Sequence, residues 1–418
     1  MTADLGDNVR KFRRMAGLSQ EQLADEAELS TGTIQKVEQG GSVRIETLHT
    51  IARALGIRTS QLLAEDPPNP QRHVPGERLS LQALRIALTP PLALTLTADS
   101  RIPSADEEPS LNRLRRRTQD AALLYPAGRY ESLAAVLPGL VRDADAAVAC
   151  YSDGEERRHA LLARVDVLGL TGRYLTQVRQ FDIAHTAIRG AITDARNAQD
   201  PRVTAAQVRG LCFVLLRTGR FDEAEDAAVR AMDLVEPKLM DSEPGQYAVW
   251  GAVAMEAAAA AVRNNRPKEA KEYRRAASVA AAAIGRQHEY DLHGIEGPFG
   301  PVTAAMKSVE DAMVIGDVRT VVRRAENEEA LSPKTWKRTG GPSRGDRNRF
   351  ALDVTRAYAR TGDTTRAGED LHHLYRTAPD WLLHQKAAVD AWQEIAAKRK
   401  RSLPAEMREV GRHLGIIG

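Results

Sequence analysis

Apolar residues recur along the first part of the chain at helical spacing. Leu5, Val9, Phe12 and Ala16 lie four, three and four residues apart, and Gly17 then offers a left-handed stop, so one amphipathic helix ends there. Ser19 opens the next segment with a hydroxyl that can accept an orphan amide, and Gln22 completes a capping-box spacing. Leu23, Ala24 and Ala27 share one face of that helix. Ser30 caps a third segment in which Ile34 and Val37 recur at helical spacing. Roughly three residues join these two short helices, too few for an antiparallel hairpin of full-length helices and right for a helix-turn-helix. Ile45, Leu48, Ile51, Ala52 and Leu55 make a fourth helix that stops at Gly56, and Thr59 or Ser60 caps a fifth over "TSQLL". Five helices therefore occupy residues 4–64, and a first domain is expected over 1–66.

The prolines of "AEDPPNPQRHVPGER" cannot continue a helix and read as an extended linker, so residues 67–109 are assigned to a Pro-rich linker or arm. Within it "LQALRIAL" looks helical, while the following "TPPLALTLTADSRIPSADEEPS" breaks that pattern. From Ser110 to residue 418 the pattern is helical throughout, beginning with a leading helix. The segments "RTGRFDEAEDAAVRA", "RNNRPKEAKEYRRAA" and "RTGDTTRAGEDLHHL" share an Arg, a Gly or Asn two residues on, and an Ala five residues later. Gly219, Asn265 and Gly362 mark the turns, with a weaker one at Gly316, giving separations of 46, 51 and 46 residues. Such periods imply stacked helical pairs, in which Ala224, Ala270 and Ala367 let the second helix approach the first. An earlier pair is expected around "LTGRYLTQVRQFDIAHTAIRGAI".

Composition narrows the class. A net charge of +3 over 418 residues does not announce a nucleic-acid partner, and residues 1–66 carry eight Lys and Arg against ten Asp and Glu. Any basic face there must come from clustering of Arg10, Lys11, Arg13, Arg14, Lys36 and Arg44. The longest apolar run, "AVWGAVAMEAAAAAV", is Ala-rich and holds Glu256, which argues against a membrane span, and a cytoplasmic protein is expected. Cys150 and Cys212 lack CxxC partners and read as buried hydrophobes. Aromatic residues make up only 5%, so packing must rest on Ala-mediated helix contacts. The fold class is therefore all-α.

The repeats resemble the tetratricopeptide motif, most clearly in "ALDVTRAYARTGDTTRAGEDLHHLYRTAP", where Tyr358, Gly362, Ala367 and Pro379 keep its spacing. The match is poorer around Gly316, where Val321 replaces the small residue. The opening stretch "LGDNVRKFRRMAGLSQEQLADEAELSTGTIQKVEQG", with "IETLHTIARALGIRTSQLL", resembles the Cro and phage-repressor (XRE-family) helix-turn-helix domains. In that fold the second helix of the motif enters the major groove. By motif position the resemblance makes Thr31, Gln35 and Lys36 the base readers, for a thymine methyl, adenine and guanine respectively. It makes Gln20 and Arg44 phosphate contacts, and Ser30, Gly32, Thr33 and Gln39 complete the DNA-facing set. Arg13 and Glu38 match a structural ion pair of the family. Gly32 costs roughly 1 kcal/mol in a helix interior relative to Ala, and is read as allowing close approach to the duplex.

Counted from the junctions, the positions that face the concave side in tetratricopeptide arrays include Arg209, Phe213, Met255, Met306, Glu310, Met313, Arg349 and Arg356. Methionines suit an apolar or peptide ligand, and arginines a carboxylate. The whole chain is similar to repeat-array regulators of Gram-positive bacteria, including peptide-sensing quorum regulators, and its Ala- and Arg-rich composition to actinobacterial relatives. Sparse Asn on the inner helices weighs against a peptide. The expected protein is a homodimeric, sequence-specific transcription regulator that binds a pseudo-palindromic double-stranded operator and senses a small molecule or peptide. The alternative is an adaptor whose array holds protein partners and whose helix-turn-helix is a contact module.

Other features carry less. His288, Glu289, Asp291 and His293 lie close together, but the histidines are five apart, one more than the spacing that aligns two imidazoles on a helix, so no metal is expected. "SPKTWKRTGGPSRGDRNR" reads as a basic loop, solvated or closing over DNA or another anion, and "AKRKRS" reads the same way. Neither a phosphate-cradling glycine loop nor a set of nucleophile, base and orienter is found, so neither an enzyme nor a cofactor is expected.

Overall fold

The computed structural model describes residues 5–40, 45–57, 62, 75–90, 110–238, 242–289, 298–398 and 403–416. Among these the protein is all-α, with a single isolated antiparallel bridge between His288 and Phe299. None of the described helices is long and apolar enough to cross a membrane. The chain divides into two compact units, Met1–Val74 and Pro75–Gly418.

In the first unit, α1 (Leu5–Met15), α2 (Gln20–Glu26), α3 (Thr31–Glu38) and α4 (Ile45–Ala54) enclose one core. Val9, Leu23, Ile34, Val37 and Ile51 are fully buried in it, because the apolar stripe of each helix is turned inward. Leu62, the sole described residue of the expected fifth helix, is buried in the same core. The buried Asn8 amide donates to the Leu62 carbonyl at 2.9 Å. Gly17, Gly40 and Gly56 have positive φ at the helix ends where left-handed stops are required. Gly6 has another use: a Cβ there would stand 2.6 Å from the Val37 carbonyl oxygen, so its absence lets α1 lie directly against the end of α3.

The second unit opens inside the segment read from sequence as a linker. Helix α5 (Pro75–Leu88) buries Leu84 completely in the core that also holds Leu133 and Leu137 of α7 (Tyr130–Cys150). Arg85 donates to Gln180 at 2.6 Å. The leading helix expected from Ser110 is α6 (Leu111–Leu124), and the Ser110 side chain caps it. Antiparallel pairs follow: α8 (Gly154–Gln177) with α9 (Phe181–Asn197), and α10 (Pro201–Arg217) with α11 (Phe221–Leu234). Next come α12 (Pro244–Arg263) with α13 (Pro267–Ile284), and α14 (Pro301–Val314) with α15 (Val318–Asn327). After the short α16 (Pro333–Thr339), α17 (Arg344–Thr361) pairs with α18 (Thr364–Thr377), and α19 (Pro379–Leu383), α20 (Lys386–Lys398) and α21 (Ala405–His413) close the chain.

The five junctions within these pairs carry left-handed residues, Arg179, Gly219, Asn265, Gly316 and Gly362. Ala224 and Ala367 are fully buried beyond their turns and Ala270 nearly so, which is the close approach their size permits. Within this unit the array curls until its ends meet: Tyr130 packs edge-on against His384 with ring centroids 5.6 Å apart, and Trp381 is buried in the same core as Leu133.

Two sequence expectations change here. The basic stretch from Ser332 is not a loop: Ser332 caps α16 and Ser343 caps α17, so its arginines are placed by helices. Cys150 is exposed, whereas Cys212 is buried, with a thiol pushed well up by burial. Asp291, His293 and most of "AKRKRS" lie outside the described residues.

Candidate functional site

Each unit holds one candidate site. In the first, Ser19 and Gln22 form a reciprocal capping box: the Gln22 amide N–H donates to Ser19 Oγ at 3.1 Å, and the Ser19 N–H donates to Gln22 Oε1 at 2.7 Å. The Thr33 N–H donates to Ser30 Oγ at 3.2 Å and starts α3 in the same manner. Ile34 and Val37 anchor α3 from within, so Gly32, Gln35, Lys36 and Gln39 are exposed on its outer side, with Thr31 half-buried beside them. The Ser30 and Thr33 hydroxyls lie 2.8 Å apart and serve the cap.

Arg13 fixes the far end of α3. Its Nε donates to Glu38 Oε1 at 2.6 Å, its Nη2 to Oε2 at 3.1 Å, and its Nη1 to the Leu18 carbonyl at 2.9 Å, so one guanidinium ties α1 to α3 and to the preceding turn. Gln20 Nε2 also donates to Glu38 Oε2, at 2.7 Å, which turns its amide inward and away from the phosphate role inferred from sequence. Burial opposes the Glu38 charge, but the hydrogen bonds from Arg13 and Gln20 and the charges of Arg13 and Arg10 outweigh it and hold the carboxyl below its usual range. Arg44 lies outside the described residues.

The second site is a cavity of about 130 Å³ in the helical body, between α8, α10 and the start of α17. Its wall includes Arg173 and Gln177 from α8, Arg209, Phe213 and Arg217 from α10, and Arg349 from α17. Of these, Arg209, Phe213 and Arg349 are residues expected from sequence. Arg209 is committed: its Nε donates to Glu256 Oε1 at 3.3 Å and its guanidinium lies over the Phe213 ring at 5.4 Å. Arg349 continues into a small pocket with Met306 and Glu310, where Glu310 is held by Lys307 at 2.8 Å and by Arg263 at 2.8 Å. Burial raises the Glu310 carboxyl, yet Lys307, Arg263 and Arg349 carry it well below the usual carboxylate range. Asp353 beside it is pushed up to about 7, by burial first and then by the Glu310 charge.

The remaining expected residues are not brought together there. Met255 is 1% exposed in a core with Ala277 and Phe299, Met313 is buried in the main core, and Arg356 faces Asp390 and Glu394 at 3.9 and 3.6 Å. Sequence reasoning missed Arg173, Gln177 and Arg217. A signal existed: Arg173 and Gln177 are spaced i, i+4 on one helix, and Arg217 stands in the R-T-G junction read solely as a turn.

Residues 9–62 match the Helix-turn-helix family model, so the first unit is a helix-turn-helix domain. No curated protein matches the chain. Among solved structures, the chain is similar to Bacillus thuringiensis PlcR in complex with the peptide PapR7 and DNA, at 13% identity and a TM-score of 0.32, over 68% of this chain and 95% of that one. ComR from Streptococcus suis matches at 14% identity and a TM-score of 0.20, over 68% of this chain and 91% of that one. Both scores are too low to indicate a shared overall fold.

Proposed function

We propose that the protein is a sequence-specific DNA-binding transcription regulator whose helical body senses a ligand. The observation that carries the DNA part is α3 itself. It is capped by Ser30, pinned by the Arg13–Glu38 pair and anchored by Ile34 and Val37, and the side chains left outward are polar groups that suit base edges. A rigid helix with an uncommitted polar face, within a domain that matches the helix-turn-helix model, is what major-groove reading requires. Gln35 and Lys36 read bases, Thr31 and Gly32 approach the duplex, and the exposed Lys11 and Arg14 supply phosphate contacts, while Arg10 is held by Glu38 and Asp7. Two copies on a pseudo-palindromic site follow from the small number of bases one such helix reaches. The cavity, with its unpaired polar groups, is the sensing site, and the protein acts by binding rather than by catalysis.

Selection of duplexes from a random pool by the full-length protein tests this. A recurring half-site, at a spacing near one or two helical turns, is the expected result. Enrichment without a common motif would show that α3 serves contacts other than base reading.

A further inference from the structure

The arginines of the cavity outnumber the carboxylates that face them. Arg173, Arg217 and Arg349 make neither a hydrogen bond nor an ion pair among the described residues, and Arg173 Nε is buried without a partner. Gln177 is 8% exposed, and its Nε2, also buried, has no acceptor. The one carboxylate in the wall, Asp346, is engaged at the α17 cap with Ser343 at 2.7 Å. Glu256 matches the fourth arginine, and Arg349 also faces the Glu310 carboxylate of the small pocket beside it, so the positive charge left in excess over Asp346 sits mainly at Arg173 and Arg217. Like charges held together in a partly desolvated space repel, and donors without acceptors lose their water for nothing, so the arrangement is stable only at a cost that an anion would remove. Burial first, and then the Arg349 charge, lower the Arg217 guanidinium to about 10 against the opposing Glu310 carboxylate, and it is still charged at neutral pH.

The wall also says what accompanies the charge. Phe213 and Ile188 line it beside the backbone of Gly169 and Gly210. An adjoining cavity of about 380 Å³ shares Tyr125, Gln177 and Arg349 with the first and adds Tyr130 and Trp381. The arginine-lined space suits a head group and the adjoining one, with its aromatic side chains, an apolar body.

We propose that this cavity binds a small organic anion, its carboxylate, sulfonate or phosphate head held by Arg173, Arg217 and Arg349 with Gln177 donating beside them, and its aromatic or aliphatic body lying toward Tyr125, Tyr130 and Trp381. The inference rests on the reading of the helical body as the sensing part and names the chemistry it senses. Arginine forks match planar and tetrahedral oxyanions, and the adjoining aromatic side chains select against a bare inorganic ion.

The test uses full-length protein and two fluorescent probes of one shape, the anionic 8-anilinonaphthalene-1-sulfonate and the uncharged N-phenyl-1-naphthylamine. The expected result is saturable one-site binding of the sulfonate, weakened about tenfold or more by Arg217→Gln and by Arg349→Gln, while the uncharged probe changes less than about twofold. Gly210→Leu is the second variant. A Cβ at Gly210 meets only Ile188, at 3.7 Å, so the backbone tolerates it while the larger side chain fills the cavity and blocks both probes. Absence of saturable sulfonate binding to the wild type, equal binding to all variants, or a parallel loss of both probes in the arginine variants would overturn the proposal. Affinity for the selected duplex, measured with and without saturating sulfonate, separates the two readings. Arginine-dependent binding that leaves DNA affinity unchanged keeps the anion site and removes the sensing role.

Discussion

Glu38 is buried to within 1% of its side-chain surface and still ionised, because Arg13, Arg10 and Gln20 converge on it. Its carboxyl titrates lower in the folded chain than in the unfolded one. The stability it contributes is therefore fully present above the ordinary glutamate range, roughly 4.3, and is lost as pH falls through the folded value. Arg13→Ala leaves a buried carboxylate short of its main partner and should destabilise the first unit by about 3 kcal/mol, read from amide exchange of α1–α3 in the full chain. Glu38→Gln should flatten the acid dependence of the same exchange. In the second unit Asp353 is raised to about 7. It faces Glu310 and Lys307 of α14 and shares α17 with Arg349 and Arg356. Its ionisation above neutrality adds negative charge near Arg349, so sulfonate affinity should fall between pH 6 and pH 8, a dependence that Asp353→Asn removes. Persistence of the pH effect in that variant would assign it to another group.

At the scale of elements, the chain spells out its stops and starts locally. The capping box at Ser19, the cap at Ser30 and the left-handed glycines at 17, 40 and 56 are each fixed by residues within one turn, which is why the helix-turn-helix was legible. Ser30→Ala should cost about 1 kcal/mol and weaken DNA binding through α3. The repeat turns were legible at Gly219, Asn265, Gly316 and Gly362 and not at Arg179, where an ordinary side chain occupies the same backbone at φ 63. The Gln180 N–H donates to the Leu175 carbonyl at 2.8 Å there, the same closure that Arg220 makes to Leu215 and Arg266 to Ala261. The turn is common to all three, and the preferred residue is missing from one. Arg179→Gly should consequently stabilise the body by roughly 0.5 to 1 kcal/mol in chemical denaturation, since it relieves a left-handed non-glycine. Gly6→Ala should do the reverse in the first unit, because the Val37 and Glu38 carbonyls that a Cβ would meet are backbone and cannot move aside.

At the scale of the molecule, the cavity was the part least legible in the sequence. Its arginines come from α8, α10 and α17, far apart along the chain, and they meet only because the stacked pairs curl until Tyr130 reaches His384. Periodicity gives the stacking and the Ala positions; curvature depends on small rotations accumulated from pair to pair, which no single motif encodes. The same limit explains the methionines. Counting from the junctions put Met255 and Met313 on the concave face, yet both side chains turn into the core. The outer face of α3, proposed to read DNA, needs no such accumulation, and it carries the account's central claim. The most direct test is the dissociation constant of the full-length protein for a selected duplex and for a scrambled one, measured for the wild type and for a Gln35→Ala, Lys36→Ala variant at two salt concentrations. The account predicts that the variant loses roughly 2 to 6 kcal/mol of discrimination between the duplexes, while weak, salt-dependent binding to both survives. Equal discrimination by wild type and variant would contradict it, and the function of α3 would have to be sought in protein contacts.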